Sequence, residues 1–175
     1  IGLAGNRDNL IKASKLKVSV RETDSNLEKI LDIGFVGEPI KINSEIILDR
    51  LEKGYIPVIA PLGTDNSNNY NINADTAAGS VASALGTSRL LMLTDVAGVL
   101  DESGTLIPRL TVGQAKQLIA SGVINGGMIP KVETCIEAVQ AGAGAAVILD
   151  GRKKHAVLVE LFTEHGIGTL IQADQ

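Results

Sequence analysis

From residue 53 onward, short runs of Val, Ile and Leu alternate with segments of helical apolar spacing. That order commits a chain to an α/β fold of parallel strands joined by crossover helices. The spacing predicts a helix over 43–54, with Asn43 as cap, Ile46, Ile47 and Leu51 on one face and Gly54 as its stop. It runs directly into an expected buried strand over 55–60. A polar, Asn-rich loop over 63–71 then leads to a small-residue helix over 74–85, for which Asn73 or Asp75 is the cap and Gly86 the stop. Further along, the pattern predicts a strand over 89–93, a β-hairpin over 96–110, a helix capped by Thr111 and closed by Gly122, and a helix entered through Pro130 and ending near Ala141. A strand over 145–149, a helix over 154–164 with Val157, Leu158, Leu161 and Phe162 on one face, and a short strand over 169–171 complete the series. The first 35 residues are less regular, with strands expected at 16–20 and 34–42.

Composition removes several function classes. Sixteen Lys and Arg against 20 Asp and Glu give a net charge of −4, with no Trp and two each of Tyr and Phe. This is not the basic, aromatic surface of a nucleic-acid binder. Hydrophobic residues at 45% and charged residues at 21% do not describe a disordered tail. The longest apolar stretch, 141–149, is too short to span a bilayer, so no membrane role is expected. The lone Cys135 cannot form an intrachain disulfide, which points to a reducing, cytoplasmic location. The chain begins with Ile and lacks a signal-like segment, so its start is expected to be a cut edge.

In open α/β sheets ligands gather where strands end and helices begin. The first such loop holds Asn71, Asn73 and Asp75; the carboxylate at a helix start either caps that helix or acts on a substrate. The second is Thr94, Asp95, Val96, Ala97, Gly98 and Val99, a tight turn or a nucleotide loop in which the glycine lets backbone approach a ligand. The third contains Val123, Ile124, Asn125, Gly126, Gly127 and Met128 and ends on Pro130 and Lys131. A cation in the first turn of a helix opposes the dipole, at a cost of roughly 0.3–1 kcal/mol if exposed, unless an anion is bound there. Lys131 is therefore the strongest functional candidate. No G-x-x-x-x-G-K-[ST] or G-x-S-x-G occurs, and Gly142 and Gly144 precede a strand instead of following one. His155, His165 and Cys135 lack zinc-ligand spacing, so no metal site is expected.

Taken together, YNINAD at 70–75, LTDVAGVLD at 93–101, GGMIPKV at 126–132, DGR at 150–152 and GIGT at 166–169 resemble the amino acid kinase superfamily. Within it they resemble the branch that phosphorylates the γ-carboxylate of N-acetyl-L-glutamate in arginine biosynthesis. The upstream GFVGE at 34–38 is similar too. The resemblance implies a three-layer αβα fold with a mostly parallel open sheet of carbamate kinase-like type, using ATP and Mg²⁺. It implies that Asn71 binds N-acetyl-L-glutamate and that Asp75 organises catalytic lysines. Lys131 would then stabilise charge on the transferring phosphoryl group, and residues 94–99 together with Val123, Ile124, Asn125, Gly127 and Met128 would contact the nucleotide. It also implies an L-arginine feedback site touching His155 and Glu164, and a homo-oligomer when the chain is complete. The glycine-rich loop, first catalytic lysine and substrate arginine of such enzymes cannot be located. The chain is therefore expected to be a C-terminal portion, with 1–54 the remainder of a substrate and dimer lobe and 55–175 a nucleotide lobe, inactive alone. A nucleotide-binding module without turnover, and a kinase for an aminoadipate-type carboxylate, are the alternatives.

Overall fold

Ile11 and Ala13 are buried while Lys12 and Ser14 face outward in the computed structural model, which describes residues 1–21 and 28–174. This period of two marks a half-buried strand. The chain divides into two compact units, Ile1–Ser80 and Val81–Gln175. The first contains β1 (Gly2–Ala4), β2 (Ile11–Lys15), β3 (Val18–Arg21), β4 (Glu28–Leu31), β5 (Gly37–Ile42), α1 (Ser44–Glu52), β6 (Val58–Ala60), β7 (Leu62–Thr64), β8 (Asn69–Asn71) and the start of α2 (Ala74–Leu85). Its main sheet runs β5-β2-β7-β8, with β2 antiparallel to β5 and parallel to β7. Separately, β1 pairs in parallel with β6, and β3 with β4 antiparallel.

Three expectations change in this unit. The loop over 63–71 contains an antiparallel hairpin, β7 with β8. Its turn is built by the Asp65 carboxylate, which accepts the Ser67 and Asn68 N–H groups at 2.8 and 2.6 Å and the Tyr70 hydroxyl at 2.6 Å. These bonds, Tyr70's first, hold the Asp65 carboxyl down at about 2. The strand expected over 55–60 begins only after Pro57 and is not buried: Val58 is 67% exposed. β6 pairs with β1 and β7 with β2, so these two strands lie in the sheets of the first unit. At α1, Asn43 occupies the cap position but makes no side-chain capping bond.

The second unit holds β9 (Leu90–Thr94), β10 (Arg109–Thr111), α3 (Val112–Ala120), α4 (Met128–Gln140), β11 (Ala146–Asp150), α5 (Ala156–Phe162) and β12 (Thr169–Gln172). Its sheet runs β10-β12-β11-β9, with β9 parallel to β11, β10 parallel to β12, and β11 antiparallel to β12. Every residue of β11 is buried. Val132, Cys135, Ile136 and Val139 form the buried stripe of α4, which packs on β9, β11 and β12. A reciprocal capping box between Thr111 and Gln114 starts α3 as expected.

Two further corrections fall here. The hairpin expected over 96–110 shrinks to one bridge between Leu100 and Leu106, and β10 pairs with β12 instead. The inward face of α5 is the opposite of the expected one: Ala156 and Glu160 are buried, while Leu158, Leu161 and Phe162 are exposed. The cause is Glu160, whose carboxylate accepts the N–H groups of Ile167 and Gly168 at 2.8 and 3.3 Å and so draws that side of the helix inward.

Candidate active site

At the end of β8, Asn71 is exposed and anchored by its N–H to the Phe35 carbonyl at 2.8 Å, while the neighbouring Ile72 is buried. Asn73, not Asp75, caps α2: its side-chain oxygen accepts the N–H groups of Asp75 and Thr76 at 2.9 and 3.2 Å. Asp75 lies half-buried in the first turn, four residues after Asn71, with capping already supplied by another side chain.

In the second unit the two loops expected to hold nucleotide meet in one cleft of about 340 Å³. Val96, Gly98, Val99, Leu100, Asp101, Glu102 and Gly104 form one wall and Val123, Ile124, Asn125 and Met128 the other. Thr94, Asp95, Ala97 and Gly127 are not on the walls. Gly98 has φ +149°, and a Cβ there would stand 2.6 Å from the Thr169 hydroxyl and 3.0 Å from its nitrogen. The glycine is thus required by packing on β12. Thr169 is fully buried; its hydroxyl donates to the Ile107 carbonyl at 2.7 Å and accepts the Val99 N–H at 2.8 Å, pinning this wall to the sheet. Asp101 turns inward on its own loop, accepting the Ser103 hydroxyl at 2.6 Å and the Ser103 and Thr105 N–H groups at 2.9 Å. These bonds, the Ser103 hydroxyl's first, hold its carboxyl below the usual range.

On the opposite wall, the Asn125 amide donates to the carbonyls of Gly122 and Val123, both at 3.3 Å. Gly126 then adopts φ +54°, and Gly127 stands at the N-cap of α4, where no side chain caps the helix. Lys131 is half-buried and lies three residues past Met128, so the two share a helix face. The arrangement sets an apolar cleft beside a helix N-terminus and a lysine.

A second, polar cleft of about 250 Å³ includes Glu164 together with Arg89, Arg109, Glu160, His165 and Gly166. His155 does not line it; it sits with φ +61° at the other end of α5. The structure therefore does not bring His155 and Glu164 together. Leu100 and Asp101 closed a motif the sequence marked but were not assigned to the site, and Glu102 and Gly104 of the first cleft, with Arg89, Arg109 and Glu160 of the second, were not marked by the sequence. Glu160 did leave one signal, an acid within the apolar run AVLVELF.

Among the described residues, no group of three His, Cys, Asp or Glu could hold a metal, and no helix is long and apolar enough to cross a membrane.

The loop that leaves β9 and the loop that leaves α3 face each other across a cleft at the start of α4, a helix that no side chain caps, in an α/β protein. The chain belongs to the amino acid kinase family, whose model matches residues 7–150. It is similar to the acetylglutamate kinase of Parvibaculum lavamentivorans, at 59% identity over 174 residues, covering 98% of this chain and 57% of that one. It is likewise similar to the acetylglutamate kinase of Gluconobacter oxydans, at 56% identity over 174 residues, covering 99% and 59%. The chain thus spans somewhat over half the length of these curated relatives. Among solved structures, N-acetylglutamate synthase from Neisseria gonorrhoeae complexed with coenzyme A and L-arginine superposes with a TM-score of 0.82 at 26% identity, covering 98% of this chain and 38% of that one. Carbamate kinase from Giardia lamblia bound to AMP-PNP superposes with a TM-score of 0.64 at 19% identity, covering 90% and 52%. This second likeness bears on the fold alone, and the fold is the carbamate kinase-like α/β type expected from the sequence.

Proposed function

We propose that this chain supplies the nucleotide half, and part of the substrate half, of an enzyme that transfers the γ-phosphoryl group of ATP to the γ-carboxylate of N-acetyl-L-glutamate. The observation that carries this reading is the convergence of residues from 96–104 and 123–128 on one cleft bounded by Met128 at the start of α4, the helix that carries Lys131. Identity of 54–59% to acetylglutamate kinases over nearly the whole chain supports the substrate. In this reading Val96, Val99, Ile124 and Met128 take the purine, as apolar side chains suit an aromatic ring. The N-terminus of α4 faces the phosphates, where N–H groups favour anions. Phosphoryl transfer asks a protein mainly for alignment and for positive charge where the transferring group becomes electron-rich. Lys131 supplies that charge, Asn71 hydrogen-bonds the acetylglutamate, and Asp75 holds catalytic ammonium groups in line. Mg²⁺ arrives with the nucleotide and neutralises its phosphates; no further site for it is assigned to side chains of this chain.

The unit Val81–Gln175 is then the nucleotide lobe, and Ile1–Ser80 belongs to the substrate side. The protein acts in the cytoplasm as a homo-oligomer within arginine biosynthesis. L-Arginine is a feedback ligand in this reading, with the acidic side chains of Glu160 and Glu164 in the polar cleft suited to a guanidinium. The alternative, a nucleotide-binding module without turnover, draws its support from the span of 57–59% of the relatives' length. A coupled ADP-release assay separates the two. The 175-residue chain should show no N-acetyl-L-glutamate-dependent turnover, and a chain completed with the remaining part of the Parvibaculum relative should show it. Turnover by neither protein, with nucleotide bound by both, would overturn the kinase reading in favour of the binding module.

A further inference from the structure

The DGR segment after β11 has no role in the reading above, yet it closes the edge of the sheet from which the nucleotide loop departs. β9 and β11 run parallel and end side by side, with Thr94 opposite Asp150. The chain then turns through Gly151, whose N–H donates to the Thr94 carbonyl at 2.9 Å. A Cβ at Gly151 would stand 3.1 Å from the Leu93 Cβ, so the turn is pressed against the last residues of β9. Arg152 folds back over it: Nε and Nη2 donate to the two oxygens of Asp150 at 2.9 and 3.0 Å, and its backbone N–H donates to the first oxygen at 3.0 Å. The Asp150 side chain is only 11% exposed, so the fork covers a carboxylate set into the sheet edge.

The guanidinium also feels the charge of Asp95, which adds to the rise in its affinity for protons that Asp150 chiefly causes. Asp95 in turn accepts the Thr94 hydroxyl at 3.3 Å. Thr94 is thereby tied to the end of β11 by a backbone bond and to Asp95 by its own hydroxyl, and the residues that follow, Val96, Gly98 and Val99, are cleft wall. With two of its N–H groups committed to Asp150, the guanidinium is a fixed plane rather than a mobile phosphate ligand.

We propose that Arg152 is a positioning residue for the nucleotide loop: clamped by Asp150, it fixes the Gly151 turn against Thr94 and so sets the course of residues 96–99 along the cleft. The functional half of this inference rests on the reading of the cleft as a nucleotide site; the clasp itself does not.

The test is amide hydrogen exchange on the 175-residue chain without nucleotide, for wild type, Arg152→Ala and Arg152→Lys, with calorimetric titration of MgADP on the same samples. In Arg152→Ala, exchange at 95–98 should accelerate roughly tenfold while amides of 90–93 and 146–149 stay unchanged, and the Kd for ADP should rise about fivefold. Arg152→Lys keeps a charge beside Asp150 but cannot fork, and should fall between the two. Unchanged exchange in the loop, equal acceleration in both strands, or a lysine variant indistinguishable from wild type would each overturn the clasp. Accelerated loop exchange with unaltered ADP affinity would overturn its bearing on the nucleotide. If wild type binds no ADP, the reading of the cleft fails by itself, and the exchange comparison still decides the clasp.

Discussion

Asp75 lies half-buried in the first turn of α2. On sequence alone a carboxylate at a helix start can be a cap, and the structure gives that task to Asn73, two residues earlier. Asp75→Asn should therefore leave the fold intact, with a melting temperature within about 2 °C of wild type, since under 1 kcal/mol is at stake. In the completed protein it should lower kcat by about a hundredfold, because an amide cannot hold ammonium groups by charge. Retained turnover measured alongside an unchanged melting curve would remove Asp75 from the mechanism. Two other carboxylates govern acid stability. Asp65 and Asp150 are both held at about 2, the first chiefly by Tyr70 and the second chiefly by Arg152. A carboxyl held below its ordinary value stabilises the fold at neutral pH, and that contribution is lost as pH falls from about 4 towards 2. Denaturation by urea across that range should show stability falling steeply in wild type and less steeply in Asp65→Asn; equal slopes would contradict the assignment to Asp65.

At the scale of elements, what was legible followed from local chemistry. The bounds of α2 agree with the small-residue run between Asn73 and Gly86, and α3 begins after its Thr111 cap, whereas α4 starts at Met128, two residues before Pro130. The hairpin of β7 and β8 was missed because its turn is built from side-chain bonds to Asp65 rather than from apolar alternation. The facing of α5 was missed because one buried carboxylate outweighs four apolar side chains when it alone can satisfy the N–H groups before β12. The glycine at 98 was noticed, but the packing contact that demands it was not legible, since it comes from Thr169, 71 positions later. That threonine yields a prediction at this scale. Thr169→Val keeps the volume but leaves the Val99 N–H and the Ile107 carbonyl without their partner, which should cost about 1–3 kcal/mol in chemical denaturation. It should also weaken ADP binding by loosening the cleft wall, whereas full stability in the valine variant would show that the wall is held by other means.

Across the whole molecule, the chain is a member of the amino acid kinase family that spans 57–59% of the length of the relatives named above, and its contacts divide it into two units after Ser80. The candidate site was half legible. The loops at 94–99 and 123–128 stood out because each combines glycine with a strand exit or helix entry; Leu100, Asp101 and Gly104 joined the cleft only through the tertiary course of the chain. The central claim is that the cleft between these segments takes a nucleotide. The measurement that tests it most directly is a titration of the 175-residue chain with MgADP, followed by calorimetry and by backbone amide shifts. Saturable binding at millimolar nucleotide or below, with shifts confined to 96–104, 123–128 and the first turns of α4, is the predicted result. A folded chain that releases no heat at millimolar MgADP, or shifts centred on Arg89, Glu164 and His165 instead, would contradict it.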